Sequence, residues 1–99
     1  MEIKSLRTGS ELVYALEGRL DTITAPQFEA EINKGLDGVT SLIIDLKKLD
    51  YISSAGLRVL LKAQKIMAKQ GNMTVKNLSQ ELKDIFEVTG FSDILNIEE

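Results

Sequence analysis

Two hydrophobic periods alternate along the chain. Leu12, Tyr14 and Leu16 share one side of an extended segment while Val13 and Ala15 take the other, which predicts a strand from Glu11 to Glu17. An earlier extended segment from Glu2 to Arg7 and the turn Thr8-Gly9-Ser10 make the two a hairpin. Gly18 to Thr24 reads as a loop. A wider spacing then sets in at Phe28, Ile32 and Leu36, one stripe of a helix from Ala25 to Gly35. Thr24 and Gln27 resemble a capping box, Pro26 suits the first turn, and Gly35 and Gly38 mark the end. The run Leu42-Ile43-Ile44 predicts a strand from Ser41 to Leu46, followed by a polar turn around Lys47 to Asp50. Helical spacing returns at Leu57, with Leu60, Ala63 or Gln64, and Met67 on one face and Val59, Ala63 and Ile66 beside them. This second helix is expected over Ser54 to Gln70, with Gly71 as its C-terminal cap. Asn72 to Lys76 follows as a strand, and Ser79 as the N-cap of a third helix ending near Val88 and Gly90. Asp93 to Ile97 either adds a short last strand or packs on the edge.

The order β-β-α-β-α-β-α, with an optional closing strand, predicts an α/β fold: a mixed β-sheet of four to five strands with helices packed against it. Right-handed crossovers make the later strands parallel. With 99 residues, no internal repeat and no linker, residues 1–99 are expected to form a single domain. There is no cysteine for a disulfide or thiolate site, and no histidine for a nucleophile-His-carboxylate arrangement or a common zinc site. No cofactor or metal site is expected. The net charge is −3 and the lysines are scattered, so no basic field is offered to nucleic acid. No apolar run approaches the roughly 20 residues that span a bilayer, and Met1-Glu2-Ile3-Lys4 lacks the order of a signal peptide. A soluble, cytoplasmic protein without direct membrane insertion is the expectation.

Candidate chemistry concentrates where the third strand hands over to the second helix, at Tyr51-Ile52-Ser53-Ser54-Ala55-Gly56-Leu57. A helix start offers unpaired N–H groups and the positive end of the dipole, so an anion there is tolerated. Ser54 is therefore either a helix cap or a site of phosphorylation, and the two roles are compatible. Gly56 costs up to about 1 kcal/mol relative to alanine in a helix, so either tight packing on the sheet or close approach of a partner must account for it. Asp45 and Asp50 read as turn residues rather than magnesium ligands. Lys62, Lys65 and Lys69 read as a solvated face. Arg58 is an exposed arginine or a contact for a phosphate or carboxylate. Leu61, Met67 and one side of Leu57 are either a buried stripe or an apolar partner surface.

The strand-loop-helix arrangement, together with Leu16-Glu17-Gly18-Arg19-Leu20-Asp21 and the segment from Val75-Lys76-Asn77 to Phe91, resembles the STAS domains of bacterial anti-sigma factor antagonists over nearly the whole chain. The resemblance implies a non-enzymatic binding module. When unphosphorylated it would bind an anti-sigma factor that is itself an ATP-dependent serine kinase, and so free the sigma factor. Phosphorylation would switch it off and a phosphatase would reset it. The implied phosphoacceptor is Ser54, with Ser53 the adjacent hydroxyl standing where relatives often carry Asp. The implied partner-binding set is Asp21, Ser53, Ser54, Gly56, Leu57 and Arg58. One alternative keeps the fold and makes the chain a subunit of a membrane lipid transporter or stress-signalling complex. Another is a serine enzyme, which without histidine would have to use Lys47 or Lys48 as base.

Overall fold

Five strands lie side by side in the order in which they occur in the chain. The computed structural model describes residues 1–98. Its strands are β1 (Glu2–Thr8), β2 (Glu11–Leu20), β3 (Ser41–Ile52), β4 (Asn72–Lys76) and β5 (Ile97–Glu98), and its helices are α1 (Ala25–Gly35), α2 (Ser54–Met67) and α3 (Gln80–Val88). Strand β1 is antiparallel to β2, and every later pair is parallel, as the right-handed crossover argument expects. Three crossovers of one hand, each stepping to the next strand in the same direction, bring all three helices to one face of the sheet.

That face carries Leu12, Tyr14, Leu16 and Leu20 from β2, Leu42, Ile44, Leu46, Leu49 and Ile52 from β3, and Met73 and Val75 from β4, all buried. Phe28, Ile32 and Leu36 from the α1 region, Leu57, Leu60, Ala63 and Met67 from α2, and Leu82 and Phe86 from α3 close over them. Tyr14 meets Phe28 edge to face at 5.8 Å, and its hydroxyl donates to the Glu31 carbonyl at 3.1 Å, so the one large polar tip in this core is satisfied.

The expected polar turn at Lys47 to Asp50 is strand. Ala15 pairs with Asp45 and Glu17 with Lys48, then Gly18 with Leu49 and Arg19 with Tyr51, so β3 takes one extra residue at each of two bulges. Each insertion lengthens the inward repeat from two residues to three, giving Leu46, Leu49 and Ile52 as the buried positions. A three-residue repeat with Lys47-Lys48 exposed between looks like a turn to any period-2 reading. Strand β2 likewise continues to Leu20 rather than stopping at Glu17. Asp45 secures the bulge, its Oδ1 accepting the Lys47 N–H and the Asn77 Nδ2–H, each at 3.0 Å.

Helix α2 ends at Met67, three residues before the expected end. The Gln70 side chain turns back, its Nε2 donating to the carbonyls of Leu36 and Val39 at 2.6 Å each, which ties off the end of α1 instead of extending α2. Gly71 donates its N–H to the Met67 carbonyl at 2.7 Å, but the C-cap position of α2 is Ala68 and not Gly71 as expected, and Gly71 has no positive φ. Its lack of a side chain matters for space, since a Cβ there would overlap the Thr40 carbonyl. Gly90 does take the left-handed conformation, with φ 81°, ending α3 before a 3₁₀ turn at Phe91–Asp93. The optional last strand forms, two residues long, beside Val75 and Lys76.

Gly71→Ala should therefore destabilise the domain by about 1 to 3 kcal/mol, because backbone rather than a side-chain tip must move. At roughly 4 to 8 °C per kcal/mol for a domain of this size, thermal unfolding followed by circular dichroism will register the loss.

Candidate functional site

Strands β2 and β3 finish together, Leu20 opposite Ile52, and the Ser53 N–H then donates to the Leu20 carbonyl at 2.9 Å. This bond holds Ser53 in extended geometry (φ −99°, ψ 175°), where its carbonyl accepts the first helical bond from the Leu57 N–H at 2.9 Å and its Oγ accepts from the Gly56 N–H at 3.5 Å. Ser53, not Ser54, is the N-cap of α2. The correction follows from β3 running on to Ile52, which leaves Ser53 as the last non-helical residue. Ser54 is the first helical residue, exposed, and its hydroxyl makes no hydrogen bond among the described residues.

Gly56 resolves in favour of packing. A Cβ on it would stand 2.7 Å from Leu20 Cγ, 2.9 Å from Ile52 Cγ1 and 2.9 Å from the Leu20 carbonyl oxygen. Glycine is what lets the first turn of α2 lie against the ends of β2 and β3. Leu57, placed by the sequence in the partner-binding set, is 3% exposed and belongs to the core, as does Met67 at 0%. Leu57 can support a contact surface only from behind. Arg58 is exposed, on the turn after Ser54.

The loop from Asp21 to Thr24 flanks this helix start. Asp21 Oδ1 accepts the N–H groups of Ile23 (3.0 Å) and Thr24 (3.1 Å), while Thr24 Oγ1 accepts the Asp21 N–H at 2.8 Å and donates to the Arg19 carbonyl at 2.7 Å. Thr24 is the N-cap residue of α1 but gives it no side-chain cap bond, and Gln27 reaches the Met1 carbonyl at 3.3 Å, so the expected capping box does not form. The threonine hydroxyl is spent on closing the loop. The hydrogen bonds to Asp21, first the one from the Thr24 backbone, hold its carboxyl below the usual value of 3.8, with Arg19 at 3.7 Å adding to the effect.

Three side chains here escaped the sequence reading. Arg19 lies over the Tyr51 ring at 4.3 Å, Tyr51 is 37% exposed and Ile23 is 87% exposed. The signal for Ile23 is its isolation in Thr22-Ile23-Thr24, outside every hydrophobic period. A shallow groove separates the two halves of the corner, with Thr22, Pro26 and Glu29 on one bank and Ala55, Arg58 and Val59 on the other. Glu29 is paired with Lys62 at 3.1 Å. Asp21, Ser53, Ser54 and Arg58 thus gather at one end of the sheet, whereas Asp45 is engaged with Asn77.

The STAS domain family model matches residues 2–99, and the chain belongs to that family. The provisionally named anti-sigma factor antagonist BtrV of Bordetella bronchiseptica is 39% identical over 88 residues, 87% of this chain and 76% of that protein. The anti-sigma-B factor antagonist of Listeria monocytogenes is 34% identical over 100 residues, 98% of this chain and 86% of its own. In fold, the chain is similar to the Bacillus cell fate determinant SpoIIAA in its phosphorylated form, with TM-score 0.76, 22% identity and coverage of 99% of this chain and 92% of that one. The unphosphorylated form of SpoIIAA gives TM-score 0.77. Among the described residues no helix is long and apolar enough to cross a membrane.

Two outcomes test the corner. Gly56→Ala should lose about 1 to 3 kcal/mol by overpacking in spite of alanine's better helix propensity, measurable by urea denaturation. The Ile23 and Thr24 amide resonances should titrate together with a midpoint below 3.8. A carboxyl whose folded pKa is depressed supports structure above its unfolded pKa and loses that support as pH falls through the folded value, so loop protection should be complete at neutral pH and be lost as pH falls below 3.8.

Proposed function

We propose that this STAS domain is an anti-sigma factor antagonist, a non-enzymatic binding module regulated by phosphorylation of Ser54. The observation that carries the assignment is the unequal state of the two adjacent hydroxyls: Ser53 is committed to the helix cap, whereas Ser54 is exposed and unbonded beside the Asp21 loop. Two relatives at 39% and 34% identity bear the antagonist name, which supports the same class of partner here. SpoIIAA, a fold neighbour, occurs in both phosphorylated and unphosphorylated forms, which agrees with a fold that tolerates the modification.

In the proposed cycle the unphosphorylated domain, residues 1–99 acting as one cytoplasmic unit, docks its Ser54 corner on an anti-sigma factor. Asp21, Ser53, Ser54 and Arg58 provide the polar contacts, with Gly56 and Leu57 fixing the helix start behind them. The anti-sigma factor, an ATP-dependent serine kinase, releases its sigma factor in exchange and later phosphorylates Ser54. A phosphatase restores the binding form. Phosphate adds about −1.5 to −2 charge at pH 7, and burying that charge without a matching cation costs several kcal/mol. Each 1.4 kcal/mol is tenfold in affinity, so the modification ends binding without refolding anything.

Ser54→Asp places a carboxylate at the first helical position, where the dipole favours it, so the variant should stay folded. Wild type and Ser54→Ala should capture an ATP-binding anti-sigma factor from lysate, and Ser54→Asp should bind it at least about tenfold more weakly, a loss near 1.4 kcal/mol. Incubating the captured protein with ATP should add one phosphate to wild type, on the peptide holding Ser54, and none to Ser54→Ala. Equal recovery by all three baits would remove Ser54 from the interface.

A further inference from the structure

Of the three arginines, two are engaged within the fold. Arg7 donates to the carbonyls of Gly9 and Asp37, and Arg19 faces the Asp21 carboxylate. Arg58 has no hydrogen bond or ion pair among the described residues. The acid that lines its groove, Glu29, is already taken by Lys62, and Asp21 in the neighbouring loop faces Arg19. A guanidinium with five donors and no acceptor is therefore presented on the surface one helical turn beyond Ser54.

We propose that Arg58 is the residue that binds the phosphate carried by Ser54, closing an intrahelical phosphoserine-arginine pair. Positions four apart on a helix have Cβ atoms about 5 to 6 Å from each other, and the favourable order places the anion N-terminal to the cation. Long helical side chains lean toward the N-terminus, so Arg58 covers the turn on which Ser54 sits. Its planar fork matches two phosphoryl oxygens at once, which a lysine ammonium does not do. Lys62, the next cation along α2, is already occupied with Glu29.

The inference rests on Ser54 being the phosphoacceptor. In the covalent step the γ-phosphorus of ATP forms a bond to Ser54 Oγ and breaks its bond to the bridging oxygen of ADP, and the hydroxyl proton passes to the kinase or to solvent. Pairing then has a second consequence. The modification adds a dianion and, in the same event, engages a cation that the unphosphorylated surface offers outward.

The test uses the full chain with phosphoserine installed at position 54 during synthesis, so it needs no kinase. Phosphorus NMR then follows the second ionisation of the phosphate, ordinarily near pH 6. An adjacent guanidinium favours the dianion, so the midpoint should lie about half a unit lower, roughly threefold in proton affinity, than in Arg58→Gln. Arg58→Lys should fall between them, and molar salt should bring the three together. Identical midpoints in the parent and Arg58→Gln at low salt would overturn the proposal. The unphosphorylated Arg58→Gln should unfold at the parent's temperature, which keeps a change in midpoint from being read as a change in fold. Failure of the functional assignment shows separately, as absence of ATP-dependent phosphate on Ser54 in the kinase reaction.

Discussion

The packing of Gly56 against Leu20 and Ile52 is the contact on which the functional corner depends. It joins three elements at one point: the end of β2, the end of β3 and the first turn of α2. Because no side chain intervenes, the Ser53 N–H can bond the Leu20 carbonyl, and the helix starts at a fixed position relative to the sheet. Ser54 on that turn and Arg58 on the next both inherit their placement from this contact. The same strand end anchors the loop, since Arg19 and Leu20 lead directly into Asp21.

The sheet itself is lopsided in a way that follows from its topology. Parallel sheets are generally covered on both faces, yet sequential strand order with crossovers of one hand supplies helices to only one. The other face is occupied by mixed residues of intermediate exposure, among them Val13, Ala15, Ile43 and Thr74. Ion pairs cross it, Lys4 with Glu17 at 3.2 Å and Lys76 with Glu98 at 3.4 Å. At such exposure each pair contributes little to stability. Their effect is to make the open face and its outer strands polar, which discourages sheet-to-sheet association.

A rigid corner suits a chemical switch that works through charge. The Asp21 loop is closed by its own hydrogen bonds, and the helix start is locked by glycine packing, so neither needs a partner in order to form. The proposed phosphorylation at the first helical residue would add its charge where the backbone already favours an anion. The fold could therefore accept the modification while the surface gains negative charge. In the proposed cycle, this separation of a stable scaffold from a variable surface charge is what would let the domain act as a signal.

The order of elements, the three helices and the core stripe were legible because a period of two or of three to four survives in Leu12-Tyr14-Leu16, in Phe28-Ile32-Leu36 and in Leu57-Leu60-Met67. The Ser53-Ser54 pair and Asp21 were legible as candidates from residue type and family resemblance. What the sequence misplaced lies where pairing with another strand overrides local period. The two bulges in β3 turn a strand into an apparent turn and move the cap from Ser54 to Ser53. Gln70 and Thr24 spend their side chains on distant or looped backbone rather than on the helices they adjoin. Arg19 over Tyr51, Gly56 against Leu20 and Gly71 against Thr40 are contacts between residues at least 30 positions apart. Local sequence alone therefore determined the elements and the core, because backbone period reflects which side of each element avoids water. Only the tertiary structure decided which serine is spent and which is free, because that depends on where β3 stops pairing with β2.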